Sequence, residues 1–159
     1  MSTRMLNLEE LLNPNSFLLI QNPTSKKLVF DKVCKKAFEK YNIDKDLLFS
    51  NLIKRENIGT ITIGNGIAIP HVQNDQIIKP SCIVAILSDG LDFDALDKNP
   101  VDLIVFLLLP EVSKSENLQI IAQVSRLLRN IDITDKLRGC KSEESAFAII
   151  SHHLKNKAA

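Results

Sequence analysis

The sequence predicts an α/β fold, a mixed β-sheet sandwiched between helical layers in a single compact domain. Three observations carry that expectation. Stretches with helical periodicity alternate with short apolar runs, the order from which layered α/β domains are built. Two of those runs, residues 82–87 (CIVAIL) and 101–109, are apolar at almost every position, so as strands they need cover on both faces of the sheet. The 159 residues are enough to bury roughly 70% of the unfolded surface in one core. No repeat, linker or low-complexity stretch divides them, so one domain is expected over 1–159.

The elements follow in order. Ser25 can cap a helix running to about residue 41. Val29, Val33, Ala37 and Tyr41 fall four apart, and Phe30, Cys34 and Phe38 make a second row beside them, one apolar stripe. Lys26, Lys27, Lys32, Lys35, Lys36 and Lys40 mostly occupy the remaining face, either simply solvated or forming the edge of a docking surface for an acidic partner. Asp44 is expected to cap a second helix with Leu47, Leu48 and Leu52 inward and Arg55 near its end. Residues 67–69 form a short strand that stops at Pro70, and 82–87 and 101–109 form the central strands. Asp97-Lys98-Asn99-Pro100 supplies the turn before the last of them. Ser113-Lys114-Ser115-Glu116 fits a capping box, opening a helix with Leu118, Ile121, Ala122, Ser125 and Leu128 on one face. A short helical turn begins near Thr134 and stops at Gly139. Ser142 caps the last helix. Glu143 and Glu144 lie in its first turn and His152, His153 and Lys155 in its last, an order that suits the helix dipole.

The totals exclude several function classes. A net charge of +1 provides no global field toward nucleic acid. The longest apolar run, 103–109, is far short of the roughly 20 residues that a membrane span needs. The first five residues lack the apolar core of a signal peptide, so a cytoplasmic protein without membrane insertion is expected. Cys34, Cys82 and Cys140 have no metal-ligand spacing and read as small buried or half-buried residues. No metal or cofactor is expected.

Chemistry concentrates in residues 55–71, RENIGTITIGNGIAIPH, which hold three of the five glycines and the one histidine outside the C-terminal tail. Gly64, Asn65 and Gly66 can present backbone N–H groups to an anion. Arg55 can clamp a phosphoryl group with its planar fork of donors, and Thr60 can add a hydroxyl. His71 can be the nucleophile, since at neutral pH roughly three-quarters of a histidine with ordinary pKa is uncharged. The combination points to a phosphoryl group carried on His71. Nucleotide motifs fail, because the glycines lack the Walker spacing and no third glycine completes a dinucleotide fingerprint. His152 and His153 are adjacent and so point to different helix faces, a poor chelate.

This stretch resembles the active-site signature of the fructose/mannitol-type enzyme IIA domains of the bacterial phosphoenolpyruvate-dependent phosphotransferase system. The matching residues are Arg55-Glu56, Gly59-Thr60 and Gly64-Asn65-Gly66-Ile67-Ala68-Ile69-Pro70-His71. Gly90-Leu91-Asp92-Phe93, the run from Pro100 to Phe106, and the run from Asn117 to Ser125 are similar to further motifs of that family. Leu6-Asn7-Leu8-Glu9-Glu10-Leu11-Leu12 resembles its nitrogen-regulatory branch.

The resemblance implies a phosphotransferase component in which His71 accepts a phosphoryl group from an HPr-like carrier protein. Phosphorylation would then control partners such as transporters or sensor kinases. No permease or sugar-binding IIB segment is expected to be attached, which favours the regulatory branch. The rival readings are a free-standing sugar-transport IIA that passes phosphate to a IIB domain, and an interaction module that is never phosphorylated. One departure stands out. Many family members carry a second histidine that opens the Leu-x-x-Leu-Ala helix near the first one; this chain has Asn117, which can donate a hydrogen bond but cannot titrate.

Overall fold

The two long apolar runs pair with each other. In the computed structural model, which describes residues 8–59, 61–111 and 114–158, β5 (Ser81–Leu91) and β6 (Val101–Pro110) run antiparallel with Ala85 opposite Ile104. Four short strands complete the sheet: β1 (Phe17–Ile20), β2 (Thr62–Gly64), β3 (Ile67–Ala68) and β4 (His71–Asn74). The order is β1-β5-β6-β3-β2, with β4 also paired to β6. β1 pairs parallel with β5, and β3 and β4 pair parallel with β6, whereas β2 is antiparallel to β3, so the sheet is mixed as expected. β3 and β4 keep one register along β6, Ile67 opposite Leu103 and His71 opposite Leu107. They are one line interrupted at Pro70, which has no N–H to give to a ladder; its carbonyl still accepts from the Leu107 amide at 2.8 Å.

Both faces are covered. Ile83, Ala85, Ile104 and Phe106 pack with α1 (Lys26–Tyr41) and α2 (Lys45–Ile58), where Phe30 meets Phe106 edge to face at 5.8 Å. Cys82, Val84, Leu103 and Val105 pack on the other side with α3 (Lys114–Leu128), α4 (Ile131–Arg138) and α5 (Glu143–Ala158). This side-to-side alternation along strands buried on both faces is the reason their sequences read as unbroken apolar runs. Burial pushes the thiols of Cys34 and Cys82 up to about 12, which keeps both protonated and unreactive.

Ser25, Asp44 and Ser142 accept from the Leu28, Leu47 and Ser145 amides, capping α1, α2 and α5 as expected. The Ser113 capping box lies outside the described residues. Several expectations need correction. β1, β2 and β4 carry no sequence expectation, the strand expected over 67–69 ends at Ala68, and β5 extends four residues beyond 87 through a register shift. α4 begins at Ile131, capped by Asn130, and Thr134 is a buried interior position whose hydroxyl donates to the Ile131 carbonyl. Phe38 leaves the α1 stripe and is 50% exposed. The buried line of α3 is Asn117, Ile120, Val124 and Leu128, and Leu118 is 68% exposed. The helix is rotated because the Asn117 amide donates to the Pro110 carbonyl at 2.8 Å, so a polar residue takes the sheet-facing slot. Among the described residues no helix is long and apolar enough to cross a membrane.

Candidate functional site

His71 opens β4 directly after Pro70. Alternation along the strand puts Ile67, Ile69 and His71 on the side covered by α3–α5, and Ala68 and Val72 on the side of α1 and α2. The ring is half-buried. Its Nδ1 lies 3.4 Å from the Ile69 carbonyl, an acceptor only, so this contact requires Nδ1 to carry the hydrogen. The lone pair then sits on Nε2. Partial burial of the ring pushes the His71 pKa below its ordinary value; the Ile69 carbonyl pulls it back up, and the Arg55 guanidinium pushes it down again. The site therefore holds a neutral imidazole at physiological pH.

Arg55 comes from the last turn of α2, in the opposite helical layer. α2 is fastened to β4 by Asn74 Nδ2, which donates to Asn51 Oδ1 at 3.1 Å, and Arg55 is one turn further along. Its Nη1 lies 3.4 Å from the Gly59 carbonyl. The neighbouring carboxylate of Glu56 is held by Lys26 at 2.6 Å, and Lys26 also sits over the Phe93 ring. Among the described residues no carboxylate pairs with Arg55, so its charge remains available to an anion. A ring with an oriented nitrogen and a cation without a carboxylate partner among the described residues thus lie near enough for the Arg55 charge to act on His71. Thr60, the expected hydroxyl, lies outside the described residues.

The glycine turn lies away from the ring, and the Asn65 amide is engaged by a carboxylate there. Gly64, Asn65 and Gly66 all have left-handed φ, +90°, +56° and +77°, and form the hairpin between β2 and β3. The Asn65 N–H donates to Asp97 Oδ2 at 2.9 Å, and its carbonyl accepts from Arg138 Nη2 at 2.6 Å. Arg138 Nε reaches both carboxylate oxygens of Asp102, at 3.0 and 3.1 Å. A Cβ on Gly66 would lie 2.9 Å from Arg138 Nη2, 3.0 Å from Asp102 Oδ1 and 3.1 Å from the Pro100 carbonyl. The Gly66 carbonyl takes the Asp102 and Leu103 amides, whereas that of Pro70 takes Leu107. Four residues of β6, about 13 Å, separate the two positions. The turn's amide faces a carboxylate, and the Asn65 N–H holds the Asp97 pKa below the usual carboxylate range. An N–H that stabilises a carboxylate is not free for a phosphoryl group at His71.

Asn117 is presented by α3 on the same side of the sheet as His71. Its Nδ2 is tied to Pro110, and among the described residues its buried Oδ1 has no partner and no hydrogen bond joins it to the ring. His152 is exposed on α5 and bonds Asn156. Residues that sequence reasoning missed are the Ile69 carbonyl, which sets the tautomer, the Asn51–Asn74 pair, and the Asp97, Asp102 and Arg138 frame of the glycine turn. Asp102 lies inside a quoted family motif; Arg138 carries no sequence signal. Among the described residues no cluster of His, Cys, Asp and Glu could hold a metal.

Comparison with known proteins supplies the context. Residues 10–153 match the family described as phosphoenolpyruvate-dependent sugar phosphotransferase system, EIIA 2. A nitrogen regulatory protein of Pseudomonas aeruginosa is 37% identical over 147 residues, 92% of this chain and 96% of that protein. A nitrogen regulatory protein of Bradyrhizobium diazoefficiens is 32% identical over 142 residues, 89% of this chain and 93% of that one. The crystal structure of nitrogen regulatory protein IIA-Ntr from Neisseria meningitidis has the same fold, with a TM-score of 0.81 at 26% identity over 90% of this chain and 98% of that chain.

Proposed function

Since the chain belongs to the EIIA 2 family of the phosphoenolpyruvate-dependent sugar phosphotransferase system, we propose that it carries a phosphoryl group on Nε2 of His71, accepted from the phosphohistidine of an HPr-like carrier protein. The phosphorylation state then governs its binding to regulated targets such as transporters or sensor kinases. The observation that carries this reading is the pairing of an oriented neutral imidazole with an unpaired arginine.

In the transfer, the Nε2 lone pair forms the new N–P bond while the donor's N–P bond breaks and its electron pair returns to the donor ring. Nδ1 of His71 keeps its hydrogen throughout. As Nε2 bonds phosphorus the ring becomes cationic, and the Ile69 carbonyl already accepts the Nδ1–H that grows more acidic. The donor ring loses its positive charge as it leaves, so no external base is needed. Arg55 balances the phosphoryl oxygens, a preorganised contribution on the order of 10²-fold in rate. No nucleotide, metal or cofactor enters the step.

The test is mass spectrometry after mixing with the phosphorylated small carrier protein under alkaline conditions that preserve phosphohistidine. A single phosphoryl group on the peptide containing His71 is expected. A protein that stays unmodified, or is modified elsewhere, overturns the assignment.

A further inference from the structure

Apart from Lys26, the lysine face of α1 takes no part in the His71 site, and it borders the β1 edge of the sheet. β1 ends the strand order opposite β3 and β2, so among the described residues no strand pairs with its outer side. Lys36 Nζ donates to the Phe17 carbonyl at 2.6 Å and reaches Glu143 of α5 at 3.4 Å. It therefore straddles the edge, and that carbonyl points away from β5. Alternation then turns the peptide groups of Leu19 outward too. A groove of about 510 Å³ runs along this edge between β1 and α1, lined by four lysines and a single glutamate, Glu39. Lys32, Lys35 and Lys40 are exposed, and among the described residues none of them has an ion-pair partner.

We propose that this edge is a strand-addition site for an extended partner segment with Asp or Glu at every second position. Lys32, Lys36 and Lys40 fall four apart on one line of the helix, a repeat of about 6 Å. Alternate side chains of a strand repeat at about 6.7 Å, so acidic residues on one face of an added strand meet Lys32 and Lys40, with Lys36 between them held on the Phe17 carbonyl and Glu143. The line spans about 12 Å, the length of β1 itself. Backbone pairing to Leu19 supplies affinity and the lysines supply selection. A second copy of this chain is the wrong occupant, because edge-to-edge pairing would bring two lysine lines together. The His71 edge lies across β5 and β6, so a partner here and a phosphoryl donor there can be bound together.

The full chain, isotope-labelled, is mixed with a short capped peptide alternating glutamate and valine. Amide exchange and shifts are followed, with affinity measured by fluorescence anisotropy. Slower exchange at the Leu19 amide is expected, with loss of binding at high salt. The double variant Lys32→Glu/Lys40→Glu, both positions exposed and unpaired, is expected to lose affinity about tenfold with unchanged circular dichroism. A peptide alternating glutamate and proline carries the same charge without the strand donors and is expected not to bind. Equal binding of both peptides, binding indifferent to the charge reversals, or no change at Leu19 would overturn the proposal. Binding of phosphatidylglycerol vesicles through the same lysines with the Leu19 amide unaffected would overturn it as well.

Discussion

The two ends of the β3–β4 line use the same sequence signature in opposite ways. At the glycine end the Asn65 backbone is occupied: Asp97 takes its amide, Arg138 donates to its carbonyl, and Asp102 holds Arg138. At the histidine end one ring nitrogen is occupied, the other has no hydrogen bond among the described residues, and Arg55 touches only the Gly59 carbonyl, with no carboxylate paired to it among those residues. The first end fixes where the strand runs; the second leaves the valences that a reaction needs. A motif that reads as one phosphate cradle separates into a frame and a reactive tip about 13 Å apart along β6. The lesson is that glycines beside a nucleophile can be there for chain geometry alone.

Removing the tip should have the largest effect. His71→Ala is expected to abolish phosphoryl labelling with the fold intact, while His152→Ala and His153→Ala label normally. Labelling that survives in His71→Ala would erase the distinction between the two ends. Gly66→Ala should do the reverse. At φ +77° and with three polar atoms within 3.1 Å of the new Cβ, it should cost about 2–4 kcal/mol of stability, measured by urea unfolding. Whatever protein remains folded should still be labelled on His71. If Gly66→Ala left stability untouched and stopped transfer, the turn would belong to the site.

The two arginines sharpen the contrast at smaller amplitude. Arg55→Ala should slow transfer on the order of 10²-fold and change stability by less than about 0.5 kcal/mol, since it has no ion pair to lose. Arg138→Ala should leave the transfer rate within about threefold and lose about 1–3 kcal/mol, because the Asp102 carboxylate and Asn65 carbonyl are left without their donor. Single-turnover transfer rates set beside unfolding curves decide both. Equal rates for Arg55→Ala and wild type would remove Arg55 from the tip.

Much of this was legible in the chain and some was not, for identifiable reasons. The caps at Ser25, Asp44 and Ser142 are local, and local hydrogen bonds show in local sequence. β5 and β6 were legible because strands buried on both faces must be apolar throughout. Arg55 and His71 could be paired as candidates because the motif holds both. β1 was not, because four residues between Asn-Pro turns offer too short a pattern for either period. The α3 face was misjudged because a tertiary bond from Asn117 to Pro110 is invisible to hydrophobic periodicity. The role of the glycine turn was hidden because its partners, Asp97 and Arg138, lie 32 and 73 residues from Asn65.

The ring's environment predicts a modest pH effect. Burial and then Arg55 hold the His71 pKa below the ordinary 6.5. The acid limb of transfer, where the ring protonates, should lie at lower pH than for a histidine of ordinary pKa. In the same window the unfolded chain binds a proton that the folded chain refuses, so stability falls as pH falls through 6.5 and levels off below the folded pKa. Arg55→Ala removes one downward influence, so its acid limb should move to higher pH. An NMR titration of His71 in both proteins reads this directly; identical midpoints would mean that Arg55 is too distant to act on the ring.

The smallest expected effect concerns Asn117 and decides whether α3 belongs to the frame or to the tip. The residue is buried, on the His71 side of the sheet, with its amide on Pro110 and its Oδ1 unpartnered. In Asn117→His a ring nitrogen can keep the bond to Pro110, but the larger ring must fit a filled slot, at about 1–3 kcal/mol. Burial disfavours protonation of the new imidazole, so His71, only half-buried, should take the first proton. The new ring is then neutral wherever transfer is active. Its rate at pH 8 should lie within about twofold of wild type, and the acid limb within about 0.3 pKa units. A limb displaced by about one unit would mean that the charges at 117 and His71 are coupled by about 1.4 kcal/mol, and would move Asn117 from the frame of the fold into the reactive tip.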